Sequence, residues 1–440
     1  MSFRIKESAE VVRCSRFPNT KRVAHFLPRA QLVSLDAYSR ADLAQAARSK
    51  NHNKSLEIAA TIDHELTHWA DVVGTLWGRG FMVRVYDAYR LLGRRNRDGS
   101  EVDFAKLIAI YDEERRLLLP RYYRVVNDEQ PKHGVQKPWL IGLSVGLEID
   151  TFGYLDMERP IIFVRFNDRE TSSNLIRQPL TVGALLETIA VASEYDSIFT
   201  YINENVPPDE RFVEINMQNR YLTERFYDPE LSLYSAAVHV FSHYSRVIEP
   251  PIAYRCAAIL SHLCLNLADE HFDGILLPSS MAAWSERFPA FKRRRDRGFA
   301  FTVVCSNLEQ WRDGQNDGNW IDAALRASGL PDAKAIMGQA IEIMSNQECQ
   351  AKGFPFDATE AYMLELGGAT AKIRAESPIF GLKRSMATLR IVPPMVDADG
   401  EVVVWPKNEF DFSRYNAEDM TNLDWALEGY IRNLVDGCRI

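Results

Sequence analysis

Between residues 55 and 77 the chain carries a helix with two chemically opposite faces, and no other feature restricts the fold as much. Ile62, Leu66, Trp69, Val73 and Leu76 recur three or four residues apart and form an apolar stripe. Glu57, Thr61, His64, His68, Asp71 and Thr75 recur at a similar spacing and form a polar stripe elsewhere on the same helix. A segment of this kind buries its apolar side against a core, so the fold is organised by helix packing. Gly78 and Gly80 are expected to end the helix, and a second helix is expected over 81–92, closed by Gly93.

Further helices are predicted over residues 41–48, 104–119, 181–202, 233–247, 252–267, 320–328, 332–345, 358–375 and 418–435. The clearest strand is Pro160-Ile161-Ile162-Phe163-Val164-Arg165-Phe166, apolar and rich in β-branched residues. Residues 387–393 and 401–405 flank Asp397-Ala398-Asp399-Gly400 and suggest a β-hairpin. The acidic turn lacks the later ligands of a calcium loop and reads as a turn only. The texture changes after Arg297, so a boundary is expected near residue 300. Residues 1–300 then form one domain, and residues 301–440 a mainly helical region with the hairpin.

Composition excludes several classes. A net charge of −8 argues against a general nucleic-acid binder, which needs a basic surface to displace counterions from phosphates. The basic runs at 94–97 and 292–297 read as solvated helix ends or loops. The most apolar stretch, 251–277, is interrupted by Arg255, His262, Asp269, Glu270 and Asp273, so no membrane span is expected. The N-terminal residues contain no apolar core of a secretory signal. Six cysteines without a Cys-x-x-Cys pair are expected to be free thiols, which points to the cytoplasm. Neither a glycine-rich phosphate loop nor a Gly-x-Ser-x-Gly elbow is present.

Chemistry concentrates in His64-Glu65-Leu66-Thr67-His68. Two histidines four apart on a helix project side by side from successive turns and can grip one tetrahedral metal. Glu65 follows the first histidine, where its carboxylate can reach water at the metal without being consumed as a ligand. A bare His-Glu-x-x-His arises by chance in roughly 1% of chains of this length, so the surroundings matter. Here the motif lies mid-helix, with uncharged variable positions.

The longer segment Thr61-Ile62-Asp63-His64-Glu65-Leu66-Thr67-His68-Trp69-Ala70 resembles the signature of zincin metallopeptidases. The metzincin branch would have Gly at position 71 and His or Asp at position 74; Asp71 and Gly74 stand there instead. The resemblance therefore implies a gluzincin-like arrangement, with zinc as cofactor and a third ligand from a carboxylate elsewhere. Glu187 is the first candidate, because a carboxylate inside the apolar run 183–194 asks for a partner or a metal. Glu194, seven residues on, would orient a ligand histidine. Asp87 is the rival, followed by Glu113 and Glu114.

A second pair, His239 and His243, is also four apart but has no glutamate between its members. His239 is taken as a candidate catalytic donor to the oxyanion of an attacked carbonyl, with Tyr234 as a substitute. The expected fold is α+β and mostly helical, with a zincin-like active-site helix, a small mixed sheet and a helical C-terminal region. The expected function is a zinc-dependent peptidase with His64, His68 and Glu187 on the metal and Glu65 as general base. The expected partner is a peptide or protein substrate, held in extended form along residues 161–166, with neither nucleic acid nor membrane involved. A non-proteolytic zinc hydrolase and an inactive zincin-fold scaffold are the alternatives.

Overall fold

The computed structural model describes residues 23–48, 52–93, 101–118, 123–127, 139–149, 154–312, 314–348, 357–376, 393–403 and 416–437. In chain order the main elements begin with β1 (His25–Leu27), β2 (Leu32–Ser34), α1 (Arg40–Arg48), α2 (His52–Gly74), α3 (Leu76–Gly93) and α4 (Glu101–Leu118). Next come β3 (Val125–Val126), β4 (Trp139–Ile149), β5 (Leu155–Asp168) and β6 (Asn174–Pro179). A helical run follows: α5 (Val182–Asn205), α6 (Pro208–Phe226), α7 (Ser232–Ser245), α8 (Pro250–Leu265), α9 (Asp269–Gly274), α10 (Phe288–Arg293) and α11 (Arg297–Ser306). The chain continues through α12 (Asp317–Ala327), α13 (Ala333–Ser345), α14 (Asp357–Glu376), β7 (Met395–Val396), β8 (Val402–Val403) and α15 (Ala417–Gly437). The class is α+β and mostly helical, as expected.

Two compact units divide the chain. One gathers residues 1–115, 343–372 and 384–440; the other holds 116–342 and 373–383. The expected boundary near residue 300 is not one of their limits. Ala300 is fully buried inside α11, which packs on α7 and α8. The change of texture after Arg297 marks a helix start, where the Asp296 side chain accepts the amide of Phe299.

In the first unit the sheet order is β1-β2-β7-β8, with β2 and β7 parallel and the other pairs antiparallel. β7 and β8 form a hairpin around the expected turn, but its first strand lies beyond the predicted 387–393; residues 387–392 and 404–405 lie outside the described residues, as does the basic run at 94–97. Its turn closes because Asp397 Oδ1 accepts the amides of Asp399 and Glu401, while Gly400 takes a φ of +83°.

Helix α2 buries Leu66, Trp69 and Val73 completely, as its apolar stripe requires. Its other side is not a solvent face, since Asp63, Thr67, Asp71 and Thr75 are equally buried. The helix also ends earlier than predicted. Thr75 Oγ1 donates to the Asp71 carbonyl and accepts the Gly78 amide, which turns the chain at once into α3. Gly78 and Gly80 therefore lie inside α3 and do not terminate α2. A Cβ on Gly78 would sit 2.4 Å from the Val72 carbonyl oxygen, so glycine is needed for close approach of the two helices.

The second unit carries a wholly antiparallel sheet in the order β3-β6-β5-β4. The predicted strand at 160–166 is the middle of β5. Strand β4 went unpredicted: Trp139, Ile141, Leu143, Val145, Leu147 and Ile149 alternate correctly, but Gly142 and Gly146 interrupt the run. At Gly146 the space of a side chain is taken by the Phe163 ring of β5. Helix α5 leaves β6 directly and packs on α7 and α8. The basic run at 292–297 ties α10 and the turn after it to β5 and α9: Arg293 pairs with Glu158, Arg295 with Asp269, and Lys292 donates to the Asp273 and Ile275 carbonyls.

Among the described residues no helix is long and apolar enough to cross a membrane. Cys256, Cys264 and Cys305 are buried free thiols.

Candidate metal centre

The two histidines of α2 stand as the four-residue spacing requires. Their Nε2 atoms are 3.2 Å apart, with ring centroids 4.8 Å apart and the rings nearly perpendicular at 83°. Two imidazole nitrogens on one tetrahedral ion, each about 2.05 Å from it, would be about 3.3 Å apart. The observed pair already has that separation. Buried Leu66 and Trp69 between and beside them fix the rotation of the helix, so the direction of both rings is set by core packing.

Glu65 lies between the two histidines and is half-buried. Its Oε2 accepts the backbone amide of Phe26 at 2.8 Å. That amide points outward from the β1 edge of the sheet, so the strand orients the carboxylate through a main-chain donor. Oε1 has no hydrogen-bond partner among the described residues. Beside Phe26, His25 Nδ1 bonds Asp36 Oδ2 at 2.8 Å, and Ser34 Oγ donates to Asp36 Oδ1 at 2.7 Å. The sequence reading missed this strand, because a backbone amide leaves no signature in residue type.

Glu187 occupies the second turn of α5 among Ala184, Leu185, Leu186, Ile189 and Ala190, and is itself buried. His64 and His68 belong to the first unit and Glu187 to the second. Two imidazoles and a carboxylate form a donor set suited to zinc.

The other carboxylates are engaged elsewhere. Asp87 lies on the exposed side of α3, 57% exposed and paired with Arg90, which argues against it as a ligand. Glu113 pairs with Arg84, and Glu114 with Arg29. Glu194 pairs with Arg225 of α6 at 2.6 Å, so it serves the packing of α5 on α6.

His239 requires a correction. The ring is buried, stacks on Phe226 at 3.8 Å between centroids, and touches Trp139, Phe166 and Tyr227. Its Nε2–H donates to the Phe226 carbonyl at 2.9 Å. Burial holds its pKa down to about 3, so the ring is neutral. It is a core histidine with its proton already spent, not a donor facing a substrate. The strand expectation also changes. β5 is bonded to β4 on one edge and to β6 on the other, so residues 161–166 have no edge free for an extended peptide.

No protein-family model, curated protein or solved structure matches the chain. The site's own geometry therefore has to carry the functional argument.

Proposed function

We propose that this chain is a zinc-dependent hydrolase of the zincin type, with peptide bonds as its substrate class. The observation carrying the reading is the 3.2 Å Nε2–Nε2 separation of His64 and His68, next to a glutamate with one anchored and one available oxygen. His64, His68 and Glu187 would hold the ion. When bound, zinc supplies a Lewis acid that polarises a carbonyl and makes water more acidic at neutral pH.

The remaining work belongs to Glu65. The Phe26 amide holds Oε2 and thereby orients the carboxylate. Oε1 takes a proton from the attacking water and returns it to the leaving amine. Anchoring one oxygen lowers the reorganisation needed at the other.

A second reading is a zinc hydrolase acting on a small amide or ester. It is favoured by the position of β5 inside its sheet, which removes the strand that would have paired with an extended peptide.

Metal analysis of the purified protein and its variants tests the site. Wild type and Asp87→Ala should carry stoichiometric zinc, whereas His64→Ala and Glu187→Ala should lose it. Unchanged zinc in His64→Ala overturns the site. Zinc without hydrolysis of any peptide, ester or small amide would leave a structural zinc protein.

A further inference from the structure

Strand β4 is the outermost strand of its sheet. Among the described residues it pairs with β5 alone, so its other edge presents main-chain donors and acceptors with no strand beside them. The neighbouring strand shows which residues these are. The Leu180 amide donates to the Ile162 carbonyl, so the main chain of Ile162 faces β6 and turns away from β4. Val145, opposite Ile162, then directs its own amide and carbonyl outward, and by the two-residue repeat so do Ile141, Leu143 and Leu147. Pro160 opposite Leu147 fits this phase, because a residue without an N–H cannot donate to β4. Past Leu147 the register shifts, and the Tyr123 hydroxyl accepts the Ile149 amide at 2.6 Å.

Edge strands are ordinarily protected from pairing by lysine, proline or a bulge. Residues 139–147 contain no charged residue and no proline, and the bulge comes only after them. The side chains give a second sign. Ile141, Leu143 and Val145 lie on the sheet face that carries Phe166, Val164 and Ile162 opposite them. Those three residues of β5 are buried, whereas the row on β4 stays only half-buried. The core thus covers β5 and stops short at β4.

The residues of the edge also indicate what covers it. Ile141-Gly142-Leu143-Ser144-Val145-Gly146-Leu147 reads nearly the same in both directions about Ser144. Antiparallel pairing of two such strands on a two-fold axis at Ser144 sets Leu143 against Val145, Gly142 against Gly146 and Ile141 against Leu147. The outward-facing residues then meet as bonded pairs, each exchanging two hydrogen bonds, and Ser144 meets its own copy as a non-bonded pair. Glu148, the one charged residue of β4, faces Leu140 across the axis and not a second carboxylate. We propose that β4 is a dimerisation edge, on which a second copy of this chain continues the sheet across a two-fold axis at Ser144. Such an isologous contact closes on itself and leaves no further edge of β4 exposed. The half-buried row of one copy flanks that of the other. The metal centre plays no part in this contact.

Sedimentation velocity of the full chain tests it. Wild type should sediment as one species of twice the chain mass. Val145→Pro removes an outward amide and spares the bonds to β5, so it should sediment as a monomer with the circular dichroism of wild type. A wild type that is monomeric throughout the micromolar range overturns the proposal, as does a dimeric Val145→Pro or open-ended growth into larger species. If the proline variant does not fold, cross-linking decides. Opposed residues of a non-bonded pair hold their Cα atoms about 4.5 Å apart, within reach of a disulfide. With diamide as oxidant, Ser144→Cys should form a disulfide-linked dimer at least about tenfold faster than wild type or Leu140→Cys. Equal rates overturn the proposal.

Discussion

Substituting alanine at Gly78 and at Gly80 should have opposite effects, although the two glycines lie one turn apart or less in the same helix. In a helix interior the change from glycine to alanine is worth about 1 kcal/mol in favour of folding. At Gly80 nothing opposes that gain: the new methyl would meet only the flexible end of Arg84, at 3.9 Å. Gly80→Ala should therefore stabilise by ~0.5–1 kcal/mol. At Gly78 the methyl would lie 2.4 Å from the Val72 carbonyl oxygen, 2.5 Å from the Val72 Cα and 2.6 Å from the Asp71 carbonyl oxygen. All three obstacles are backbone of α2, so no side chain can swing aside, and the helices must part by most of an ångström. Overpacking of that kind costs ~1–3 kcal/mol, and a rigid backbone belongs at the upper end. After the propensity gain Gly78→Ala should still destabilise by ~2 kcal/mol, which separates the two variants by ~3 kcal/mol. Urea denaturation followed by circular dichroism measures both. Zinc affinity should also weaken in Gly78→Ala, since His68 lies in the turn of α2 just before the obstructed carbonyls. A Gly78→Ala protein as stable as wild type would refute the close-packed helix junction.

Other consequences can be checked separately. Glu65→Gln should bind zinc normally yet lose at least about 10²-fold in hydrolysis rate, measured by steady-state kinetics beside metal analysis. His239 has a folded pKa depressed below its ordinary 6.5 to about 3, so the stability it confers is complete above 6.5 and is lost as pH falls through that window. Wild type should lose about 2 kcal/mol from this group between pH 7 and 5, and His239→Phe should flatten that part of the urea-stability profile. Arg79 is buried, its pKa lowered to about 10 by burial, and donates to the Met344 and Leu364 carbonyls. Arg79→Met should cost ~2–3 kcal/mol of unfolding free energy by leaving those acceptors without their donor. An unchanged denaturation midpoint would mean that other donors take them over.

Short-range periodicity made much of this molecule legible from residues alone. His64 and His68 point the same way because a helix returns to the same side every four residues, and Leu66, Trp69 and Val73 showed which side would face the core. Helices α5, α7, α8 and α12 to α15 announced themselves by the same rule, and Asp397-Ala398-Asp399-Gly400 by its turn chemistry, whereas α6, α9, α10 and α11 went unpredicted. Tertiary contacts decided the rest. Nothing local distinguishes His239, wrapped in aromatic rings, from a histidine facing solvent. The early end of α2 depended on Thr75 meeting Gly78, and the orientation of Glu65 on an amide of a three-residue strand. Helical repeat is a property of neighbouring residues, so a sequence by itself determines it. Burial depends on segments far apart in the chain, and only folding brings those together.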